Sequence, residues 1–156
     1  MFKQGVTLEA INAMSKDTLV ENLGIEVIEM GENFLVAKMP VDKRTHQPMG
    51  LLHGGASVVL AETLGSIAAT LTLNNKEQHC VGLEINANHV RPVSSGFVTG
   101  TTTVASLGRS VHVWNIDIKN DQGKLNCVSR LTTAIVDLKG DEIEKNTKLL
   151  DELLSS

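Results

Sequence analysis

Two features of one apolar stretch could together do chemistry: the glycine pair Gly54-Gly55 and the acidic residue Glu62. Glycine lets a ligand approach the backbone closely. If a helix begins at this pair, its first N–H groups lack internal acceptors and lie at the positive end of the helix dipole. A carbonyl oxygen held there would be polarised, and would be stabilised further as it becomes an oxyanion. Taken alone, the glycine pair is more typical of close packing between a loop and a helix.

Glu62 is the only charged residue between positions 50 and 73. A carboxylate among apolar residues needs partners or a functional reason. Ser66, one helical turn later, would lie on the same face and could form a hydrogen bond with it. The residue one turn earlier is Val58, so a broad polar face is lacking. The pattern favours a functional carboxylate over a glutamate on a solvated stripe of the helix.

The spacing of Gly54 and Glu62 has a consequence for assembly. Eight residues on one helix span about 12 Å along its axis, more than a glutamate side chain can reach. If both residues act on one reacting centre, they must come from different chains. The spacing therefore predicts a dimer in which two such helices run antiparallel and form two equivalent composite sites.

The segment that carries these residues is predicted to form one long buried helix over about 54–72. Its length approaches that of a membrane span. However, Glu62 lies at its middle, where a carboxylate is costly in lipid, and no basic cluster flanks either end. We therefore expect a helix buried in protein and no membrane partner.

Strand patterns surround the predicted helix. Before it, two short candidate strands are joined by a turn at residues 31–33; after it, Val81, Leu83, Ile85 and Ala87 alternate with polar residues or glycine, and three further strands follow. The candidate ranges are 25–30, 34–39, 97–106, 111–119 and 125–136. Short links force antiparallel neighbours, and the apolar face of the sheet needs the helix to cover it. The predicted fold is α+β, with a curved antiparallel sheet wrapped around a long central helix.

Two appendages complete the organisation. Residues 7–24 show the spacing of short amphipathic helices, with Thr7 as an N-cap and Gly24 as a stop. The chain is interpreted as one domain over 1–138 and a tail over 139–156. The tail is charged and then carries paired leucines, which would form one apolar stripe on a short helix. It could dock on the domain or remain unfolded.

Composition excludes several classes of function. A net charge of -4 and an aromatic content of 3% argue against binding of nucleic acid. Cys80 and Cys127 form no CxxC pair, and the histidines lack ligand-like partners, so we expect no metal site. The N-terminus MFKQGVTLEA lacks the apolar core of a signal peptide, which predicts a cytoplasmic location.

Three motifs connect the chain to a known family: LLHGGASVVLAE, VGLEINANHVR and SRLTTAI. With them, residues 5–137 resemble the hot-dog-fold acyl-CoA thioesterases of the 4-hydroxybenzoyl-CoA thioesterase branch. The similarity is greatest to the 1,4-dihydroxy-2-naphthoyl-CoA thioesterases of menaquinone synthesis and their aroyl-carrier-protein relatives. The resemblance implies hydrolysis of an aromatic acyl-CoA without a separate cofactor, since CoA is part of the substrate. It also implies a homodimer with inter-subunit sites, commonly a dimer of dimers forming a homotetramer.

The resemblance also implies catalytic roles. Glu62 matches the family's catalytic carboxylate, which acts as nucleophile or general base, and Gly54 matches the residue whose N–H polarises the thioester carbonyl. Gln47 and His53 match the pair that orients the thioester and the loop before the helix. Ser66 matches the position that holds the attacking water.

Two further segments match the regions of the family that contact CoA. They comprise His89, Val90 and Arg91, and, in a turn, Ser106, Gly108, Arg109 and Ser110. Guanidinium groups suit the pyrophosphate and 3′-phosphate of CoA. Each arginine could instead be a solvated surface charge.

Other functions remain open on this sequence. The same fold could hydrolyse phenylacetyl-CoA or fatty acyl-CoA, or serve as a non-catalytic acyl-CoA sensor, because fold alone does not determine function. A hot-dog dehydratase would need a histidine placed differently. Glu62 favours the enzyme over the sensor, since a sensor needs no carboxylate in a buried helix.

Overall fold

The computed structural model describes residues 1–73 and 75–154. Within these ranges the elements follow one another as α1 (Leu8–Ala13), α2 (Leu19–Asn22), β1 (Glu26–Met30), β2 (Phe34–Pro40), α3 (Gly54–Thr72), β3 (Gln78–His89), β4 (Phe97–Leu107), β5 (Val111–Asn120), β6 (Leu125–Asp137) and α4 (Asp141–Leu154).

The six strands form one antiparallel sheet in the order β1-β2-β4-β5-β6-β3. Its inner face carries fully buried residues such as Trp114, Ile116 and Ile118 of β5. α3 packs against this face and contacts β2 to β6. The predicted α+β architecture, a sheet wrapped around one long helix, is confirmed.

α3 has the predicted bounds because it is apolar on most of its surface and begins at a glycine pair. A helix of this composition and length could by itself cross a membrane, but half of its most apolar stretch is buried inside the protein. Leu60, Ala61 and Leu64 are fully buried. α3 is therefore the core helix of the domain.

β3 departs from the predicted alternation. Of the four apolar residues in that pattern, Ile85 and Ala87 are half-buried and pack against the core, whereas Val81 and Leu83 are 45% and 61% exposed. The prediction of one continuous apolar face is wrong for Val81 and Leu83. The register of β3 against β6 shifts at the bulge over residues 82–84, and an extra residue there changes which side chains face the core.

The N-terminal helices follow the sequence signals. The Thr7 hydroxyl accepts a hydrogen bond from the Ala10 N–H at 3.1 Å and caps α1. Gly24 follows α2 with a φ of 68°, a conformation that favours glycine.

α4 docks on the domain. Leu150 and Leu153 are only 2% and 3% exposed, and the Asn146 side chain donates to the carbonyl oxygens of Lys76 and Gln78 at 2.8 and 3.1 Å. Of the two alternatives for the tail, docking is what the structure shows for residues up to 154. Residues 155 and 156 lie outside the described ranges.

Candidate active site

His53 shapes the start of α3. It is the N-cap residue, and its Nδ1 atom accepts a hydrogen bond from the Gly55 N–H at 2.8 Å. Its own N–H donates to the Thr45 carbonyl at 2.8 Å and so attaches the helix start to the preceding loop. Because Nδ1 is an acceptor, a neutral His53 ring carries its proton on Nε2. His53 thus satisfies one of the free N–H groups at the helix terminus.

The Gly54 N–H is left available. Among residues 1–73 and 75–154, no backbone or side-chain atom accepts a hydrogen bond from it. A Cβ atom at this position would lie 2.8 Å from Nε2 of His89, so only glycine allows the His89 ring to approach the helix start so closely. The site presents one unpaired N–H at the positive end of α3, beside an imidazole.

A cavity of about 360 Å³ opens at this helix terminus, and we call it the Gly54 pocket. Several of the sequence-predicted residues line it: Gln47, Gly54, His89, Val90 and Arg91. The structure therefore brings one set of predicted catalytic residues together with one of the two predicted CoA segments.

Gln47 and Arg91 are held by backbone contacts at this pocket. The Gln47 side-chain oxygen accepts a hydrogen bond from the Met49 N–H, which leaves its amide N–H groups as donors. The Arg91 Nε donates to the Leu125 carbonyl at 3.3 Å. The Asn126 side-chain amide donates to the Arg91 carbonyl, and the backbone carbonyl of Asn126 accepts from the Val90 N–H at 2.8 Å. The segment after β3 is thereby tied to the start of β6.

Glu62 lies in a different environment, between α3 and β3. A Cβ atom at Gly82 would be 2.6 Å from the Glu62 Oε1, so the carboxylate occupies space that only glycine leaves free. Glu62 forms no ion pair or hydrogen bond with any residue in the described part of the chain. Burial alone raises the pKa of its carboxyl group above the ordinary range.

Glu62 lines a second cavity of about 500 Å³, which we call the Glu62 pocket. Its walls come from α1, α2, α3, β3 and α4 and are mainly apolar. The lining residues are Ile11, Met14, Ser15, Thr18, Val20, Glu62, Thr63, Ser66, Ile67, Thr70, Leu71, His79, Cys80, Val81, Gly82, Leu149 and Leu153.

Ser66 lies one turn after Glu62 and lines the same pocket. Its carbonyl accepts a hydrogen bond from the Thr70 hydroxyl at 2.9 Å. Within the described ranges its own hydroxyl makes no hydrogen bond to Glu62. The hydroxyl is therefore available to a small molecule in the pocket.

One chain does not bring Glu62 and Gly54 to the same cavity. Glu62 and Ser66 line one pocket, whereas Gly54 lines the other. The observed helix places the two residues about 12 Å apart along its axis, as the spacing required. A reacting centre that needs both groups must draw them from two chains.

The second predicted CoA segment lies away from the Gly54 pocket of its own chain. Arg109 and Ser110 are exposed in the turn between β4 and β5, where the Gly108 N–H donates to the Val111 carbonyl at 2.9 Å. The prediction that Ser106 lies in this turn is wrong, because β4 extends to Leu107 and Ser106 is an exposed residue near the end of that strand. β5 starts opposite Ala134, which in turn pairs with Val81 of β3. The turn therefore lies at the end of the sheet nearest Glu62.

Sequence reasoning missed two residues of these sites. Gly82 was treated only as part of a strand alternation, yet it makes room for the carboxylate. Asn126 is buried beside the Gly54 pocket, and its side-chain oxygen has no hydrogen-bond partner in the described structure. The glycine within an otherwise regular strand is the one signal that could have pointed to a close approach. No cluster of three or more His, Cys, Asp or Glu residues that could hold a metal occurs in ranges 1–73 and 75–154.

Comparison with known proteins assigns the class. The model of the thioesterase superfamily matches residues 49–127, half of the chain. The fold matches the crystal structure of a point mutant of the thioesterase PA1618 from Pseudomonas aeruginosa, with a TM-score of 0.86 and 50% identity, over 88% of this chain and 99% of that one. The chain belongs to the thioesterase superfamily and has the hot-dog thioesterase fold.

Curated relatives agree with this class. The chain is 52% identical over 136 residues to the 1,4-dihydroxy-2-naphthoyl-CoA hydrolase of Escherichia coli (strain K12), covering 87% of this chain and 99% of that protein. It is 54% identical over 136 residues to the proofreading thioesterase EntH of Cronobacter turicensis, covering 87% and 98%. The protein is a hydrolase of thioesters, and the family resemblance of its motifs is confirmed.

Proposed function

We propose that this protein hydrolyses an aromatic acyl-CoA, such as 1,4-dihydroxy-2-naphthoyl-CoA, to the free acid and CoA. The observation that carries the proposal is the unpaired Glu62 carboxylate in an apolar pocket of about 500 Å³. Such a pocket suits an apolar acyl group, and the carboxylate suits attack on its carbonyl. The relative from Escherichia coli bears the name of this reaction. On this proposal the enzyme acts in menaquinone synthesis in the cytoplasm.

The chemistry needs few groups. A thioester carbonyl is a good electrophile and a thiolate is a good leaving group, so a strong general acid is unnecessary. The Gly54 N–H and the positive end of α3 stabilise the oxyanion that forms. Gln47 and His53 orient the thioester in this proposal, and Ser66 holds the attacking water.

Glu62 has two possible roles. As a general base, Glu62 takes a proton from water, and the resulting hydroxide attacks the carbonyl carbon. The C–S bond then breaks, and the CoA thiolate that leaves takes up the proton from Glu62. As a nucleophile its oxygen attacks the carbonyl carbon and expels the thiolate, and water then hydrolyses the mixed anhydride. A raised pKa helps the first role, because a stronger base accepts the proton more readily.

The proposal requires two chains in each site. Hot-dog thioesterases are generally oligomeric. β3 is an edge strand of the sheet and carries the exposed side chains of Val81 and Leu83, and an edge of this kind favours pairing with another chain. We propose a homodimer in which the two α3 helices run antiparallel, so that Glu62 of one chain faces Gly54 of the other. Two such dimers would then form the tetramer.

The two predicted CoA segments lie on opposite sides of one chain, which supports this arrangement. His89 and Arg91 lie on the Gly54 side of a chain, whereas residues 106–110, the end of β4 and the turn after it, lie on its Glu62 side. In an antiparallel dimer the two segments from different chains flank one composite site. We propose that Arg91 and Arg109 bind the phosphates of CoA, with His89, Val90, Ser106, Gly108 and Ser110 as neighbours.

A panel of acyl-CoA esters tests the function. We expect benzoyl-CoA and 1,4-dihydroxy-2-naphthoyl-CoA to release free thiol, and Glu62→Ala to lower kcat by roughly 10²–10⁴-fold with little change in KM. Glu62→Gln, which keeps the shape of the side chain, should be equally impaired. Near-normal turnover by Glu62→Ala would refute the catalytic role, and release from no ester at all would favour a sensor.

The apolar lining of the Glu62 pocket also favours a second candidate substrate class. Phenylacetyl-CoA and fatty acyl-CoA present apolar acyl groups without the hydroxyls of the naphthoyl substrate. The same panel separates these candidates through the ratio of their kcat/KM values.

A further inference from the structure

α4 supplies part of the wall of the Glu62 pocket. Leu149 and Leu153 of this helix line the cavity together with residues of α1, α2, α3 and β3. α4 begins at Asp141 and so lies wholly beyond residue 127, where the match to the thioesterase superfamily ends. This wall is therefore an addition to the matched core of the fold.

The attachment of α4 is specific. Asn146 is buried and donates to the carbonyl oxygens of Lys76 and Gln78, and Lys76 forms a salt bridge with Asp151. Leu150 is buried next to these polar contacts. Contacts of both kinds, apolar and hydrogen-bonded, fix the helix against the turn that links α3 to β3.

This attachment lies at the end of the pocket opposite Glu62. Along β3, Gly82 faces Glu62, and Cys80, two residues earlier, contacts the Thr70 hydroxyl at 3.2 Å. Two residues before Cys80 in β3 is Gln78, whose carbonyl oxygen accepts a hydrogen bond from Asn146 of α4. The pocket thus runs from Glu62 towards the C-terminal end of α3, a distance of about 14 Å by helical rise, and Leu149 and Leu153 are part of its lining.

We propose that α4 closes the far end of the acyl pocket through Leu149 and Leu153 and so selects compact acyl groups over long alkyl chains. This inference rests on the proposed function, because it treats the Glu62 pocket as the acyl site. An acyl chain longer than the pocket would have to displace the two leucines from apolar surroundings, which is unfavourable. A compact ring system fits without moving them.

Full-length point variants test the inference with benzoyl-CoA and palmitoyl-CoA as substrates. Leu149→Ala should raise the ratio of kcat/KM for palmitoyl-CoA to that for benzoyl-CoA by about tenfold, equivalent to roughly 1.4 kcal/mol. Leu149→Phe should lower the same ratio. Leu149→Met, which conserves volume, should retain it.

Leu154→Ala is the matched control. Leu154 lies on the same helix, is 40% exposed and does not line the pocket, so its substitution should leave the ratio unchanged. An equal fall of both kcat/KM values in Leu149→Ala and Leu149→Phe, at an unchanged ratio, would overturn the inference and leave α4 a structural role only.

The outcomes also separate this inference from the proposed function. If the wild-type protein hydrolyses benzoyl-CoA and Glu62→Ala does not, the function stands whatever the Leu149 variants show. If the wild-type protein releases thiol from no ester, the function and the inference fall together.

Discussion

The Glu62 carboxylate lies against the backbone of Gly82, so close that a Cβ atom on Gly82 would be 2.6 Å from Oε1. The absence of a side chain at Gly82 in β3 therefore leaves the space that the Glu62 carboxylate of α3 occupies. Since the carboxylate has no polar partner among the described residues, its position depends on this space in β3.

Gly82→Ala should displace the carboxylate. A misplacement of about 1 Å can cost about 100-fold in rate, so we expect kcat to fall by that order with little change in KM. The control is the double variant with Glu62→Ala. If Gly82 acts through Glu62, the double variant is no slower than Glu62→Ala alone. A further loss in the double variant would show a separate effect on the strand.

The raised pKa of Glu62 predicts a pH profile. Only the ionised carboxylate can act as base or nucleophile, so kcat/KM should rise with pH and reach half its maximum above the ordinary range of a glutamate. Stopped assays of benzoyl-CoA hydrolysis across the acidic range would measure this midpoint. A midpoint at or below the ordinary glutamate range would contradict the burial of the carboxylate.

The same burial predicts an effect on stability. Because the pKa of Glu62 is higher in the folded than in the unfolded state, ionisation of the carboxylate destabilises the fold above the folded pKa. This cost disappears as the pH falls below the unfolded value. We therefore expect Glu62→Gln to increase the free energy of unfolding at neutral pH and to lose that advantage in acid. Denaturant unfolding at both pH values is the measurement, and lower stability of Glu62→Gln at neutral pH would be the opposite result.

The long helix was the most predictable element. Its apolar composition and the glycine pair define α3 at Gly54–Thr72, and the antiparallel sheet follows from the short links between strands. The exposed positions of Val81 and Leu83 were not predictable, because the bulge over residues 82–84 is a property of pairing with β6. Single-sequence patterns carry no information about pairing register of that kind.

The candidate site shows a similar limit. The residue types of Glu62 and Gly54 and their spacing indicated a composite site, but the role of Gly82 depends on how closely β3 approaches α3. The docking of α4 depends on the match between the Asn146 side chain and the carbonyl groups of Lys76, in the turn before β3, and Gln78, the first residue of β3. Both are tertiary contacts that no local pattern records.

His53 should contribute to stability through its cap. His53→Ala removes the acceptor for the Gly55 N–H, which should cost about 1 kcal/mol of unfolding free energy. His53→Asn supplies another strong N-cap residue and should restore stability. If His53 also orients the thioester, His53→Asn should have a kcat below that of the wild type although its stability is restored. Equal stability of His53→Ala and the wild type would argue against the cap.

Charge reversal tests the nucleotide-binding arginines. Arg91→Glu and Arg109→Glu should each raise KM for an acyl-CoA with little change in kcat, because the phosphates lie far from the reacting bond. The matched substrate is the corresponding N-acetylcysteamine thioester, which lacks the nucleotide and should show the same KM in variants and wild type. An unchanged KM for the acyl-CoA would remove that arginine from the site.

The central claim is that each site takes Glu62 from one chain and Gly54 from another. Co-expression of a Glu62→Ala chain and a Gly54→Val chain with different tags allows isolation of the mixed dimer. One of its two sites would contain both intact groups, so we expect about half of the wild-type activity although each parent dimer is inactive. A mixed dimer as inactive as its parents would contradict the composite site.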